Sequence, residues 1–218
     1  SGLRAIEIAI RLLQSGQADL MLAGAVDLSC DERNLATRYT TDTITEHAAI
    51  RPFDRDADGT LPGEGAVATV LKRLPDALKN KDRIYAVIQG IAGTSDSGIK
   101  DGQSPAIETY FDSLSRAMKM GDVPKASIGL IDTHGSGIPE QDRIEAEALH
   151  RFFSDDKNIG SANRPAIGSL TPITGLAGAV SGLASVVKTS LCLFHQLIPP
   201  LANYREPALD IWHQELFH

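Results

Sequence analysis

A histidine between small residues is the feature of this sequence best suited to chemistry. Residues 133–137 read Thr133-His134-Gly135-Ser136-Gly137 and follow a short apolar run, 128–131. An imidazole at the carboxyl end of a strand is well placed for acid–base work or for holding an oxyanion. The alternative is a structural histidine, which is common for an isolated imidazole. The flanking glycines and the strand end make His134 a candidate catalytic residue.

A second loop precedes the most apolar stretch of the chain. Thr171, Pro172 and Gly175 interrupt any regular pattern after a predicted strand at 165–169. Residues 176–194 are mostly small or apolar, as in a core helix of a large domain or a membrane span. Polar residues such as Lys188 interrupt this stretch too often for a span. We therefore predict a core helix whose small residues let another backbone come close, with the loop 170–176 pointing into the fold.

The order of the elements gives the fold class. Apolar runs predict strands at 18–26, 63–71, 84–91, 128–131 and 165–169, and periodic patterns predict helices at 3–13, 105–120 and 140–153. This α/β order predicts mixed, mostly parallel sheets with helices on both faces, and the run 18–26 is apolar enough to be covered on both sides. Ligands in such folds bind beyond the carboxyl ends of strands, where the loops 132–139 and 170–176 both lie.

The chain divides into two halves. A polar break at 75–82 separates a predicted unit at 1–75 from a second at 82–218. The polar, irregular residues 29–58 are expected at a surface or an interface. The sequence opens inside an uncapped apolar helix and ends on an aromatic-rich stretch at 212–218, which predicts that both halves are incomplete.

Composition excludes several classes of function. The 218 residues carry a net charge of −7 without a basic stripe, which argues against nucleic-acid binding. No signal peptide or membrane segment is recognisable, so a cytoplasmic protein is expected. Cys30 and Cys192 lack metal-ligand spacing, and we expect two reduced thiols and no metal or cofactor. Residues 54–59 look like the start of a calcium loop, but Gly65 stands where that loop needs a glutamate, which favours a plain turn.

These motifs resemble those of the β-ketoacyl synthases over essentially the whole chain. Residues 132–139 with 142–149 resemble the first histidine motif of that family, 51–54 with 58–59 and 63–66 resemble its central signature, and 196–200 match the segment after its last core helix. The resemblance implies a thiolase-like fold, layered α-β-α-β-α, that works as a dimer. It also implies decarboxylative Claisen condensation in fatty-acid or polyketide synthesis, with an acyl thioester as substrate and acyl carrier protein as partner.

The resemblance also assigns roles to single positions. His134 matches the first catalytic histidine, and the positions expected to bind substrate are Thr133, Ser136, Gly175 and Leu176. The nucleophilic cysteine of the family would lie two residues before Ser1. The second histidine motif should place lysine, asparagine and histidine at the positions of Thr171, Ile173 and Leu176, and none of the three is present.

This departure changes the expected function. Leu176 has no group that donates a hydrogen bond to a developing charge, and the loss of one such donor costs about 10²–10³ in rate. The pattern therefore resembles a chain-length-factor domain, which pairs with an active ketosynthase, as a heterodimer or a fusion, and shapes the acyl tunnel with residues such as Ile173 and Leu176. Two alternatives remain: an active synthase, homodimeric and with its cysteine upstream, or a thiolase-fold protein that only binds acyl thioesters.

Overall fold

Seven α-helices and four strands follow one another in this computed structural model, which describes residues 2–95, 107–154 and 164–208. The helices are α1 (Gly2–Gln14), α2 (Glu32–Thr41), α3 (Leu74–Asn80), α4 (Ile107–Gly121), α5 (Pro139–Ser154), α6 (Thr171–Thr174) and α7 (Gly178–His195). The strands are β1 (Met21–Asp27), β2 (Gly65–Leu71), β3 (Leu130–Thr133) and β4 (Ala166–Ser169). The predicted helix start at Pro105 and the stretch 212–218 lie outside the described residues.

The strands form two separate pairs of opposite type. β1 and β2 are antiparallel, with Met21 opposite Leu71 and Asp27 opposite Gly65. β3 and β4 are parallel, with Leu130 opposite Ala166 and Thr133 opposite Ser169. Because β3 and β4 run the same way, their carboxyl ends bring the His134 loop and the loop after Ser169 to the same edge.

Alternation along the strands produces a layered arrangement. Ile167 of β4 is buried in a cluster with Leu149 and Phe152 of α5, and Ile131 of β3 packs against the same cluster. Asp132 and its β4 partner Gly168 occupy the alternate positions and meet Lys188 of α7 on the other face. Helix α7 in turn packs with α1 against β1 and β2, so the described layers run α4–α5, β3–β4, α1–α7, β1–β2.

Helices α1 and α7 cross closely, as the small residues of α7 predict. A methyl group placed on Gly182 would lie 2.7 Å from Cγ of Leu3, so the crossing distance depends on the missing side chain. Among the described helices, α7 alone has the length and apolar composition of a membrane span, but such helices also occur in protein cores. One face of α7 packs against α1, β1 and β2, where Val180 and Leu183 are buried. Leu193 and Phe194 near its end are exposed, so α7 is only partly buried within the described chain, which differs from the predicted core helix.

The outer face of the β1–β2 sheet differs from the prediction. Leu22 is 71% exposed and its cross-strand partner Val70 is 65% exposed, and Val26 on the same face is exposed too. The inner face is buried, since Ala23 packs with Ile6 of α1 in one cluster. The prediction that 18–26 is covered on both sides is therefore wrong for the described chain: no described helix covers the outer face.

Two other segments depart from the sequence-based expectation. Residues 84–91 form no strand ladder within the described chain: Gly90 packs closely against α4, and the Tyr85 ring contacts Phe194 at 4.9 Å between centroids. The irregular stretch 29–58 contains a helix, α2, whose cap Asp31 accepts hydrogen bonds from the backbone N–H groups of Arg33 and Asn34. No α2 residue is buried, so its sequence lacks the regularly spaced apolar residues from which a helix is predicted.

A buried ion pair joins α7 to the end of β3. The ammonium of Lys188 lies 2.5 Å from Oδ1 of Asp132, and the two side chains are 16% and 5% exposed. Gly168 leaves the space for this pair, because a methyl group there would be 3.3 Å from both charged atoms. The pair therefore fixes the residue two positions before His134 against the helix in the middle of the fold.

We expect Lys188→Met to lower the free energy of unfolding by about 3–5 kcal/mol, because it leaves the Asp132 carboxylate buried without its counter-charge. The double variant Asp132→Asn/Lys188→Met removes both charges and should recover most of that loss. Urea unfolding of the three proteins provides the measurement. Equal stability of the single and double variants would contradict a buried, coupled pair.

Candidate active site

The backbone of His134 is bound on both sides by buried side chains. Its N–H donates to Oε1 of Glu145 over 2.8 Å, and the N–H of Gly135 donates to Oε2 over 3.0 Å. Its carbonyl oxygen accepts from the hydroxyl of Thr171 at 2.7 Å and of Ser169 at 3.3 Å. Residues from α5, β4 and α6 therefore determine where the imidazole lies.

Helix α5 supplies its carboxylates at the right spacing for this task. Asp142 and Glu145 are three residues apart, so they lie on the same helix face one turn from each other. Both are buried on the side of α5 that faces the His134 loop. The sequence alone does not reveal this role of Glu145, because its partners are backbone N–H groups.

The side chain of His134 is exposed at the surface of the described chain. Desolvation lowers the pKa of this imidazole, and the nearby Asp142 carboxylate opposes that shift. The net effect favours the neutral ring near neutral pH. A neutral imidazole donates one hydrogen bond and accepts another, so His134 is able to act as a base or as a hydrogen-bond donor to an oxygen.

Burial dominates the electrostatics beneath the loop. It raises the pKa of Asp142 to about 6, with the charge of Glu145 adding to the effect and three hydrogen-bond donors opposing it. It also raises the pKa of the Glu145 carboxyl. Tyr110 of α4 faces both carboxylates, and desolvation together with their charges raises the pKa of its phenol. The floor of the site is thus an acidic cluster whose charge depends on pH.

Two of the predicted substrate-binding residues turn their hydroxyls into the protein. Thr133 is buried and donates to the carbonyl oxygen of Gly168 at 2.8 Å. Ser136 is 0% exposed, donates to Asp142 at 3.2 Å and accepts from the N–H of Ile138 at 3.1 Å. In this structure both hydroxyls stabilise the loop, and the assignment of the two residues to substrate binding stays a prediction.

The three positions expected to carry lysine, asparagine and histidine lie in or just after α6. Thr171 is buried, and its hydroxyl binds the His134 backbone as described above. Ile173 is 70% exposed and so does not line an enclosed interior within the described chain. Leu176 is half-buried, close to the mouth of α7.

The main chain at Leu176 is fixed by several bonds. Its N–H donates to the carbonyl oxygen of Leu61 at 2.8 Å, and its own carbonyl oxygen accepts from the N–H of Gly63 at 3.2 Å and from Arg38 Nη1 at 3.1 Å. The preceding Gly175 has φ 75 and packs against Gly63, where a side chain would meet backbone atoms at 2.8 Å. Position 176 is thus placed by backbone contacts that do not depend on its side chain.

Both cysteines are free thiols. Cys192 is buried and Cys30 is half-buried. Burial raises the pKa of the Cys30 thiol and the charge of Glu64 adds to it, so this residue is a poor nucleophile near neutral pH. Among the described residues no group of three or more histidine, cysteine or acidic side chains is arranged to hold a metal ion.

Comparison with known proteins identifies the family. The description "Beta-ketoacyl synthase, N-terminal domain" matches residues 1–77, and "Beta-ketoacyl synthase, C-terminal domain" matches residues 85–205. The chain belongs to the β-ketoacyl synthase family, whose solved members also share its thiolase-like fold.

Relatives in sequence are large multienzymes. The chain is 33% identical over 210 residues to one subunit of the polyunsaturated fatty acid synthase of Thraustochytrium sp., covering 95% of this chain and 7% of that protein. It is 36% identical over 206 residues to a hybrid PKS-NRPS synthetase of Gloeophyllum trabeum, covering 93% of this chain and 13% of that protein. The chain therefore spans a small part of the length of these relatives.

Solved structures show the same fold. The ketosynthase from module 6 of the bacillaene synthase of Bacillus subtilis 168 matches with a TM-score of 0.93 and 28% identity, over 100% of this chain and 39% of that chain. A structure named "PfaC Keto synthase-Chain length factor" matches with a TM-score of 0.81 and 29% identity, over 94% of this chain and 22% of that chain.

We expect Glu145→Gln to destabilise the protein by about 1–3 kcal/mol, because glutamine replaces one of two acceptors with an amide donor that faces a backbone N–H. Glu147→Gln is the matched control on the same helix; it removes only a partly exposed ion pair with Arg151 and should cost less than about 1 kcal/mol. Urea unfolding measures both. Equal costs for the two variants would show that the Glu145 carboxylate is not needed by the His134 loop.

The raised pKa of Asp142 predicts a specific dependence of stability on pH. Its pKa is about 6 in the folded protein and near its ordinary 3.8 in the unfolded chain. The folded state then retains a proton that the unfolded chain releases, so this stabilisation is complete below pH 3.8 and is lost as the pH rises through about 6. The unfolding free energy of the wild type, relative to Asp142→Asn, should fall by roughly 3 kcal/mol across this range. A difference that stays constant with pH would contradict the shift.

Proposed function

We propose that this chain is a chain-length-factor-type ketosynthase domain that pairs with an active ketosynthase and does not itself catalyse condensation. In this proposal the paired domains act in fatty-acid or polyketide synthesis, receive acyl groups from acyl carrier protein in the cytoplasm, and share a tunnel for the acyl chain.

The observation that carries the proposal is Leu176. The β-ketoacyl synthase family places a histidine at this position to stabilise the charge that forms as a malonyl thioester loses carbon dioxide. Leucine has neither a hydrogen-bond donor nor a charge, and its main chain is fixed by Leu61, Gly63 and Arg38. Of the two histidines that would donate hydrogen bonds to this charge, only His134 is therefore present. The loss of one such donor lowers the rate by about 10²–10³-fold.

The neighbouring substitutions support the same interpretation. Thr171 stands where the family has a lysine, and its hydroxyl already donates a hydrogen bond to the His134 carbonyl oxygen. Ile173, where the family has an asparagine, presents an aliphatic side chain to the surface. An exposed aliphatic group next to the site is better suited to an acyl chain or to a partner surface than to polar catalysis.

The relatives favour a polyketide-type or polyunsaturated-fatty-acid-type system. One sequence relative belongs to a polyunsaturated fatty acid synthase, and one structural relative is named a keto synthase–chain length factor. In the proposed function, the partner is therefore an active ketosynthase, present as a separate protein or within the same polypeptide.

A second candidate function is an active β-ketoacyl synthase whose cysteine lies upstream of Ser1. The observation in its favour is the fully supported His134 loop, together with the similarity to the ketosynthase from bacillaene module 6. In that case, another donor must replace the missing histidine at position 176.

Release of carbon dioxide from malonyl acyl carrier protein separates the two candidates. We expect the full chain to release it at less than about a hundredth of the rate of an intact ketosynthase assayed in parallel. His134→Ala is the control variant: any residual activity that belongs to this site should disappear with the imidazole. Release at the rate of the intact enzyme, abolished by His134→Ala, would establish the active synthase instead.

The pairing is tested separately by light scattering. When mixed with an intact ketosynthase of a polyketide or polyunsaturated-fatty-acid synthase, the chain should form a one-to-one complex in preference to a homodimer. A homodimer that persists in the presence of the ketosynthase would contradict the partner role.

A further inference from the structure

Phe53 has an unusual backbone conformation for a buried aromatic residue. Its φ is 59, a region that bulky side chains rarely adopt. Its ring is nonetheless 0% exposed and packs in the cluster of α5 that includes Leu149 and Phe152. Such a conformation persists only where surrounding contacts determine it.

One carboxylate supplies a contact that fits this conformation. Oδ2 of Asp142 accepts from the N–H of Phe53 at 2.9 Å. Oδ1 of the same carboxylate accepts from the hydroxyl of Ser136 at 3.2 Å and from the N–H of Gly137 at 3.3 Å. Asp142 is 1% exposed, so it joins the chain at Phe53 to the turn after His134 without competition from bulk water.

The segment 50–55 is also joined to the end of the described chain. The carbonyl oxygen of Phe53 accepts from the N–H of Ala208 at 3.2 Å, and that of Ile50 accepts from the side-chain amide of Asn203 at 3.1 Å. The carboxylate of Asp54 accepts from the N–H groups of Arg205 at 2.6 Å and Glu206 at 3.0 Å. Three distant parts of the sequence therefore meet at Phe53 and Asp142.

We propose that Asp142 is a positioning residue for the His134 imidazole. One oxygen of its carboxylate binds the left-handed backbone of Phe53, and the other binds the turn at Ser136 and Gly137. Through these contacts the position of the segment 50–55 determines where the His134 ring lies. The inference concerns only the placement of that ring, so it stands whether or not the chain catalyses condensation.

Charge gives this placement a measurable consequence. The titratable groups that face Asp142 are Glu145 on its own helix, Tyr110 of α4 and His134 of the loop. The Asp142 charge raises the pKa of His134 against the larger effect of desolvation. Removal of that charge should therefore lower the pKa of the His134 ring further.

The test compares Asp142→Asn with Glu140→Gln by NMR of the isotope-labelled full chain. Glu140 is the matched control, since it lies on the first turn of the same helix but is exposed and pairs only with Arg143 in the described contacts. In Asp142→Asn the Phe53 and Gly137 amides should exchange with solvent roughly 10-fold faster or more, and the titration midpoint of His134 should fall. Glu140→Gln should leave both unchanged.

Each outcome decides the proposal. Faster exchange at Phe53 and Gly137 together with a lower His134 midpoint supports it. Faster exchange with an unchanged His134 midpoint leaves Asp142 a purely structural residue and overturns it, as does unchanged exchange. If Asp142→Asn does not fold, the wild type suffices: the side-chain carboxyl carbon of Asp142 and the amide protons of Phe53 and Gly137 should titrate together, near pH 6. Independent titration would overturn the proposal.

Discussion

Burial of two carboxylates on one face of α5 is the constraint on which the site depends. Removal of a carboxylate from water is costly unless hydrogen bonds replace its hydration. In this protein the replacement donors are backbone N–H groups: Glu145 binds those of His134 and Gly135, and Asp142 binds those of Phe53 and Gly137. The need to satisfy these oxygens therefore gives the loop a defined conformation.

The opposite side of the same loop depends on α7. Lys188 of that helix pairs with Asp132, and Asp27 at the end of β1 accepts from the N–H of Ala179 in the first turn of the helix. Helix α7 thus contacts both strand pairs through charged groups, although its composition is largely apolar. The two strand pairs are therefore connected through α7, at the end of β3 and at the end of β1.

The elements that sequence could predict are those whose burial is regular. Helix α1, strand β2 and helix α5 lie close to their predicted bounds, because their apolar residues recur at the period of the element. Helix α2 was not predictable in this way, since none of its residues is buried and only the Asp31 cap indicates its start. Residues 84–91 have the composition of a strand, but a ladder also needs a neighbouring strand, which local sequence does not reveal.

The site was predictable in part. His134 could be found from its flanking glycines and its position after a strand. Glu145 and Asp142 could not, because their partners are backbone N–H groups, which every residue except proline has and which leave no mark in the sequence. Thr133 and Ser136 were assigned to substrate from the resemblance, and that assignment stays a prediction; sequence alone does not show that their hydroxyls bind Gly168 and Asp142.

The backbone contacts at Leu176 have a consequence for how such a protein diverges. Because main-chain atoms and Arg38 fix this position, its side chain is exchangeable at little cost to the local conformation. Selection is then free to remove a reactive group while the scaffold around it keeps its shape. A lineage that gives up chemistry at this point retains the backbone arrangement of the two loops, ready for a different use.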